Sequence, residues 1–259
     1  MPEVRNGDVT LHVEVDGAGG PVTVFAHGLT NSCRELAPFT PSLTGTAVRF
    51  CFRGHGHSSA PARGRYRFED LASDLDAVAR AFGARNAVGT SMGAGAIMSL
   101  LEHDPARFER IVMLLPASLD LPFRNPERFD GIADLLESYP KDEAIERILE
   151  MSRERYEAAP WLRELDLLLW EDMNPLGVAR AIREVVRDVS ISDRELLRKV
   201  EAPVLLICRE GDTLHPAELG RILHDLFPNS ELVTLASEEE LIASIPMLVE
   251  RVRAFLEGA

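Results

Sequence analysis

The chain has 259 residues, 46% hydrophobic and 27% charged, with a formal net charge of −14. That composition suits a globular protein with a sizeable core and excludes a disordered or low-complexity chain. The negative field disfavours nucleic acid and anionic membrane surfaces as partners, and no apolar run approaches the ~20 residues needed to cross a bilayer.

In chain order, Val9 to Val15 alternates like a strand. Pro21 to Ala26 is a short apolar run ending at His27-Gly28, and Ala47 to Phe52 another, ending at Arg53-Gly54-His55-Gly56-His57. Phe68 to Phe82 has helical spacing, with Leu71, Leu75, Val78 and Phe82 on one face. Then comes Asn86 to Gly95, which contains Gly89-x-Ser91-x-Gly93 between an apolar run and a helical run, Met92 to Glu102. This is the sequence form of a nucleophile elbow, a tight strand-to-helix turn that exposes a serine Oγ. Flanking glycines spare the turn a Cβ, and the helix N-terminus directs its amides toward a developing oxyanion.

Phe108 to Leu115, the continuous apolar run Pro203 to Cys208, and Glu231 to Leu235 read as further strands. A final helix carries Leu241, Ile242, Ile245, Leu248, Val252 and Phe255. Alternating strands and helices predict a mostly parallel sheet of about eight strands with helices on both faces. Residues 119–200 break the rhythm. They read as helices over Ile132–Ser138, Asp142–Glu157, Trp161–Trp170, Leu176–Val189 and Asp193–Val200. The predicted organisation is therefore an α/β core of residues 1–118 and 201–259 with a helical lid at 119–200. The stripe Trp161, Leu167, Leu168, Leu169, Trp170 and Met173 suggests that the lid faces an apolar ligand. Cys33, Cys51 and Cys208 are far apart and odd in number, as expected of buried reduced thiols. No basic stretch followed by an apolar core opens the chain, so a signal peptide is not expected and the expected compartment is the cytoplasm.

Four ordered segments resemble the α/β-hydrolase fold family: Phe25-Ala26-His27-Gly28-Leu29-Thr30, Phe52 to Ser58, Gly89-Thr90-Ser91-Met92-Gly93, and Arg209-Glu210-Gly211-Asp212. A lone Gly-x-Ser-x-Gly match is weak; four in order, each at a strand end, cover nearly the whole chain. The resemblance implies that Ser91 is the nucleophile and that the N–H groups of Met92 and Leu29 stabilise the oxyanion. It also implies that Asp212 is the acid. Asp120, after the preceding strand, is a less suitable acid. Arg209 stands where the family usually has glycine and could pair with Asp212. His27 reads as a structural histidine bonded to backbone. His55-x-His57 lacks a third ligand at suitable spacing, so no metal is expected, and no cofactor.

The base is the departure. The family places a histidine after the last strand, about seven residues before a proline, and counting back from Pro246 reaches Glu239. No histidine follows His224. Ser237 and Glu240 instead form a Ser-x-x-Glu capping box. A glutamate titrating near ~4.3 is a poorly matched base. His215, three residues after Asp212, is the best substitute. Sharing one short loop with Asp212, it is not expected to reproduce the usual triad, yet it could reach Ser91 directly or through water. The resulting reading is a hydrolase of an ester, thioester or lactone of a small apolar molecule, with a rearranged or weakened base and slow turnover. The alternatives are a non-catalytic ligand-binding member of the fold and a cofactor-independent lyase or cyclase.

Overall fold

A computed structural model describes residues 2–123 and 125–258. Among them, eight strands form one sheet in the order β1-β2-β4-β3-β5-β6-β7-β8. The strands are β1 (Glu3–Asn6), β2 (Val9–Asp16), β3 (Val22–Ala26), β4 (Thr46–Phe50), β5 (Asn86–Thr90), β6 (Arg110–Leu114), β7 (Val204–Arg209) and β8 (Ser230–Leu235). β2 runs antiparallel to β1 and β4; every other neighbouring pair is parallel. β1 was not anticipated. It is a four-residue polar edge strand, too short to show alternation, turned back onto β2 through Gly7 at φ 62°.

Helices α1 (Phe68–Phe82) and α2 (Met92–His103) pack on one another beside the sheet. α1 buries Leu71, Leu75 and Val78, the predicted face, and ends at Gly83 in the left-handed conformation at φ 65°. Among the described residues, five α-helices separate β6 from β7, namely α3 (Glu127–Ser138), α4 (Lys141–Met151), α5 (Arg153–Ala158), α6 (Pro160–Leu169) and α7 (Pro175–Val185), and the helix predicted over Asp193–Val200 is a 3-10 helix, Arg194–Lys199. The helix predicted over Asp142–Glu157 is broken at Ser152, whose ψ of 24° leaves the helical basin, and the one predicted to Val189 ends at Val185. α8 (Ala217–Leu226), α9 (Glu238–Ala243) and α10 (Ile245–Glu257) complete the fold. The predicted last helix is thus two, parted at Ser244 by the Pro246 that opens α10.

The inter-strand helices do not behave alike. Ala133, Leu136, Ile148, Met173, Val178 and Ile182 form a small core of their own. Ala181, Val185, Ile191, Leu197 and Val200 join the main core beneath the sheet. α7 is seated backbone to backbone: a Cβ on Gly177 would stand 2.1 Å from the Gly54 carbonyl oxygen. Among the described residues, no helix is long and apolar enough to cross a membrane.

The register decides where the site is built. Ala26 is level with Gly89, Thr90 with Leu114, and Leu114 with Ile207. The segments leaving β3, β5, β6 and β7 therefore emerge side by side at one edge of the sheet, the usual ligand edge of an open α/β sheet.

Candidate active site

Ser91 follows β5 immediately and holds φ 49°, ψ −107°. Its N–H extends the ladder by bonding Leu114 O at 2.9 Å, and the Leu115 N–H bonds Ile207 O at 2.8 Å. Three non-glycine residues among those described have positive φ: Thr30 (72°), Ser91 (49°) and Leu115 (47°). All three line the same cavity of about 350 Å³. Strain of this kind costs about 1–3 kcal/mol per residue and gathers where a site needs it. Gly93 permits the turn, because a Cβ there would lie 2.1 Å from Ala26 O.

The segment after β7 is organised by Asp212. Its Oδ1 accepts the N–H groups of Leu214 (2.9 Å) and His215 (3.0 Å), folding the loop back on itself. Its Oδ2 faces His215 Nδ1 at 3.1 Å and accepts from Arg209 Nη2 at 2.7 Å. His215 Nε2 in turn lies 3.0 Å from Ser91 Oγ. Burial works to raise the Asp212 pKa, but the His215 ring and the two loop amides outweigh it and hold the carboxyl well below its ordinary range. An ionised Asp212 can only accept, so Nδ1 of a neutral His215 carries the proton. Nε2 is then the acceptor of the Ser91 hydroxyl.

The expectation that two groups sharing one short loop would not reproduce the usual acid–imidazole–serine arrangement is corrected here. The turn around Asp212 presents its carboxylate to a ring three residues on, and that ring reaches Ser91. The strand order explains the reach. β7 is two strands from β5 and β8 is three, so at ~4.8 Å per strand the β7 loop is the nearer source. Arg209 pairs with Asp212 without displacing His215, since both share Oδ2.

Glu239 is exposed in the first turn of α9, and hydrogen bonding from Ser237 lowers its pKa. It does not border the cavity. The Glu240 N–H donates to Ser237 Oγ at 3.2 Å, the capping contact read from sequence. Asp120 is tied to Arg194. His27 is buried between backbone partners: Nδ1–H donates to Gly28 O at 2.7 Å and Nε2 accepts the Phe52 N–H at 3.0 Å. Burial and the neighbouring His55 keep it neutral. His55 is buried with its pKa pushed down to about 4 by desolvation, whereas His57 is exposed near Asp172. Leu29 lines the cavity, and Met92 opens α2, where its N–H has no helical acceptor.

The remaining walls come from both layers: Leu29 and Leu115 from the core, and Ile132, Ile148, Trp170 and Met173 from the helices. Of the predicted apolar stripe only Trp170 and Met173 reach the cavity, while Trp161 and Leu168 are exposed. A larger neighbouring cavity of about 450 Å³ shares the Phe123, Phe129 and Leu214 wall but contains none of Ser91, His215 or Asp212. Ser91 and His215 therefore open onto the smaller one. His12, Glu14 and Cys33 have donor atoms close enough to hold a metal ion, but the Arg49 guanidinium already sits 2.8 Å from Glu14, and none of them borders the cavity.

Glu35 was missed in the sequence. Its Oε2 accepts the Gly28 N–H and its Oε1 accepts from Asn31 Nδ2, both at 2.6 Å, and both side chains line the cavity. Nothing in Cys33-Arg34-Glu35-Leu36 marks it; only the oxyanion-loop position eight residues after His27 could have drawn attention. Burial pushes its pKa up to about 7, against the two hydrogen bonds. Because the folded pKa is raised, the native state holds this proton more tightly, and stability falls as pH rises from about 4.5 to about 7. Glu35→Gln removes that charge. Its melting temperature relative to the parent is expected to be higher at pH 8 than at pH 4.5, equivalent to about 1–2 kcal/mol after screening by cavity water. Thermal unfolding at the two pH values checks this, and a pH-independent difference refutes it.

The α/β hydrolase fold profile matches residues 21–242. The chain belongs to the α/β-hydrolase fold family. A pyrrolizixenacetamide deacetylase of Xenorhabdus hominickii is 25% identical over 238 residues, covering 85% of this chain and 84% of that protein. The crystal structure of the enol-lactonase from Burkholderia xenovorans LB400 superposes with a TM-score of 0.82 at 22% identity, covering 99% of this chain and all of that one. A hydrolase from Pseudomonas aeruginosa PA01 gives 0.80 at 24% identity, covering 98% and 97%.

Proposed function

We propose that this protein is a serine hydrolase acting on an ester, thioester or lactone of a small, largely apolar molecule. Its base is rearranged, arising from the loop after β7. Ser91 is the nucleophile, His215 the general base and then acid, and Asp212 the group that fixes the histidine tautomer and stabilises its cation. The Leu29 and Met92 amides bind the oxyanion. α3 to α6, within residues 119–200, act as the lid that confines the substrate and excludes water. The single observation that carries this reading is the unbroken hydrogen-bonded chain from Asp212 through His215 to Ser91.

In the first half-reaction His215 Nε2 takes the Ser91 proton as Oγ attacks the carbonyl. The tetrahedral oxyanion collapses, and the proton passes to the departing alcohol, thiol or lactone oxygen. In the second half-reaction water repeats the path and releases the acid. The expectation of slow turnover rested on the absence of a histidine at the usual position; the His215 ring 3.0 Å from Ser91 Oγ supports a competent base from another loop. A deacetylase and an enol-lactonase among its relatives are consistent with acyl transfer to water.

A fluorophosphonate probe tests the reading. Intact-mass analysis is expected to show one adduct, mapped to Ser91 and absent from Ser91→Ala. An unlabelled wild-type protein would remove Ser91 as an activated nucleophile.

A further inference from the structure

Glu35 is a carboxylate that lines the Ser91 cavity and that the proposed chemistry does not use. A Cβ placed on Gly28 would stand 3.4 Å from both Glu35 oxygens and 3.5 Å from Ser91 Cβ. The carboxylate and the Ser91 side chain thus flank one point beside Gly28, on the wall of the same cavity.

Among the described residues, no cation forms an ion pair with Glu35. Arg34, the next residue, is turned away to Glu171 and Asp172, both at 2.6 Å. Arg155, which lines the cavity, is held by Asp166 at 2.9 Å and Glu238 at 3.2 Å. His27 is neutral. Nor does anchoring the loop require a charge. A glutamine at 35 could accept from Gly28, and Asn31 with its amide turned over could accept from the glutamine. Among the described residues each carboxylate oxygen has one donor, which leaves it acceptor capacity beside walls that are otherwise mainly apolar. A desolvated carboxylate in that setting is costly unless a ligand supplies a donor.

We infer that Glu35 is a specificity-determining residue whose carboxylate receives a hydrogen-bond donor, a hydroxyl or an ammonium, carried by the acyl part of the substrate beside the scissile carbonyl. The inference rests on the reading of Ser91 as nucleophile, and its test is chosen to separate the two. Binding of phenyl butyrate and phenyl 3-hydroxybutyrate is measured by calorimetry at pH 8 in Ser91→Ala, which needs no turnover. The hydroxy ester is expected to bind about tenfold tighter, as for a hydrogen bond to a charged group. With Glu35→Gln added in the same background the preference is expected to fall to about threefold or less, because the neutral amide oxygen accepts more weakly than a carboxylate.

A merely structural role for Glu35 would weaken both esters together and leave the ratio intact, which overturns the proposal. Equal affinity in the presence of Glu35, or no binding of the hydroxy ester, overturns it as well. A binding preference that depends on Glu35, in a protein whose wild-type form turns over neither ester, sinks the hydrolase reading and leaves this one standing.

Discussion

His215→Ala is expected to lower kcat on a simple aryl ester by about 10⁴-fold, in the range that loss of a triad member produces. Glu239→Gln is expected to stay within about twofold of wild type, since a surface substitution away from the site changes little. The contrast follows from position. His215 Nε2 lies 3.0 Å from Ser91 Oγ and its Nδ1 lies 3.1 Å from Asp212, whereas Glu239 is exposed on α9. On the proposed mechanism, loss of the imidazole takes away the acceptor of the Ser91 proton and leaves only the oxyanion amides and substrate binding. Steady-state kinetics on the two purified variants decide the matter. Loss confined to Glu239→Gln would transfer the role to the carboxylate; full activity in His215→Ala would leave Ser91 without the base assigned to it.

Gly93→Ala carries the largest expected effect on stability. The added methyl would stand 2.1 Å from Ala26 O, and backbone at the end of a central strand cannot retreat as a flexible side chain could. Overpacking of that severity costs about 3 kcal/mol or more, which lowers the melting temperature by roughly 10 °C in a domain of this size. Gly131→Ala supplies the opposite sign. Gly131 lies inside α3 with only Met151 Cε at 3.7 Å from its would-be Cβ. Removing that glycine is expected to stabilise by about 0.5–1 kcal/mol through helix propensity and unfolded-chain entropy. Scanning calorimetry on both variants tests the pair, and an unchanged melting temperature for Gly93→Ala would mean that the turn opens more easily than its packing implies.

Much of this protein was determined by sequence acting locally. Periodicity specified α1 over Phe68–Phe82 and the buried β7 run, because helical spacing and continuous apolarity are properties of a single segment. Gly89, Ser91 and Gly93 announced their turn because the motif spans five residues, although the Cβ that Gly93 lacks would meet Ala26 of β3. Ser237 and Glu240 announced the start of α9. Where local signals were weak or competing, the sequence misled. β1 is too short and polar to show a pattern, and Ser152 and Ser244 end helices whose apolar spacing runs on across them. The meeting of Ser91 with His215 was beyond local reach, since 124 residues separate them. It depends on β7 lying two strands from β5, and on a turn about Asp212 that aims its own third neighbour inward. Glu35 was invisible for the same reason. A carboxylate becomes a feature of the cavity only when the loop after β3 folds back to bring it onto Gly28, beside a serine that arrives from another strand. Sequence thus settled which segments form and which turn exposes the serine. Strand order and register, which arise from long-range pairing, brought the histidine and acid that the sequence had named to its side.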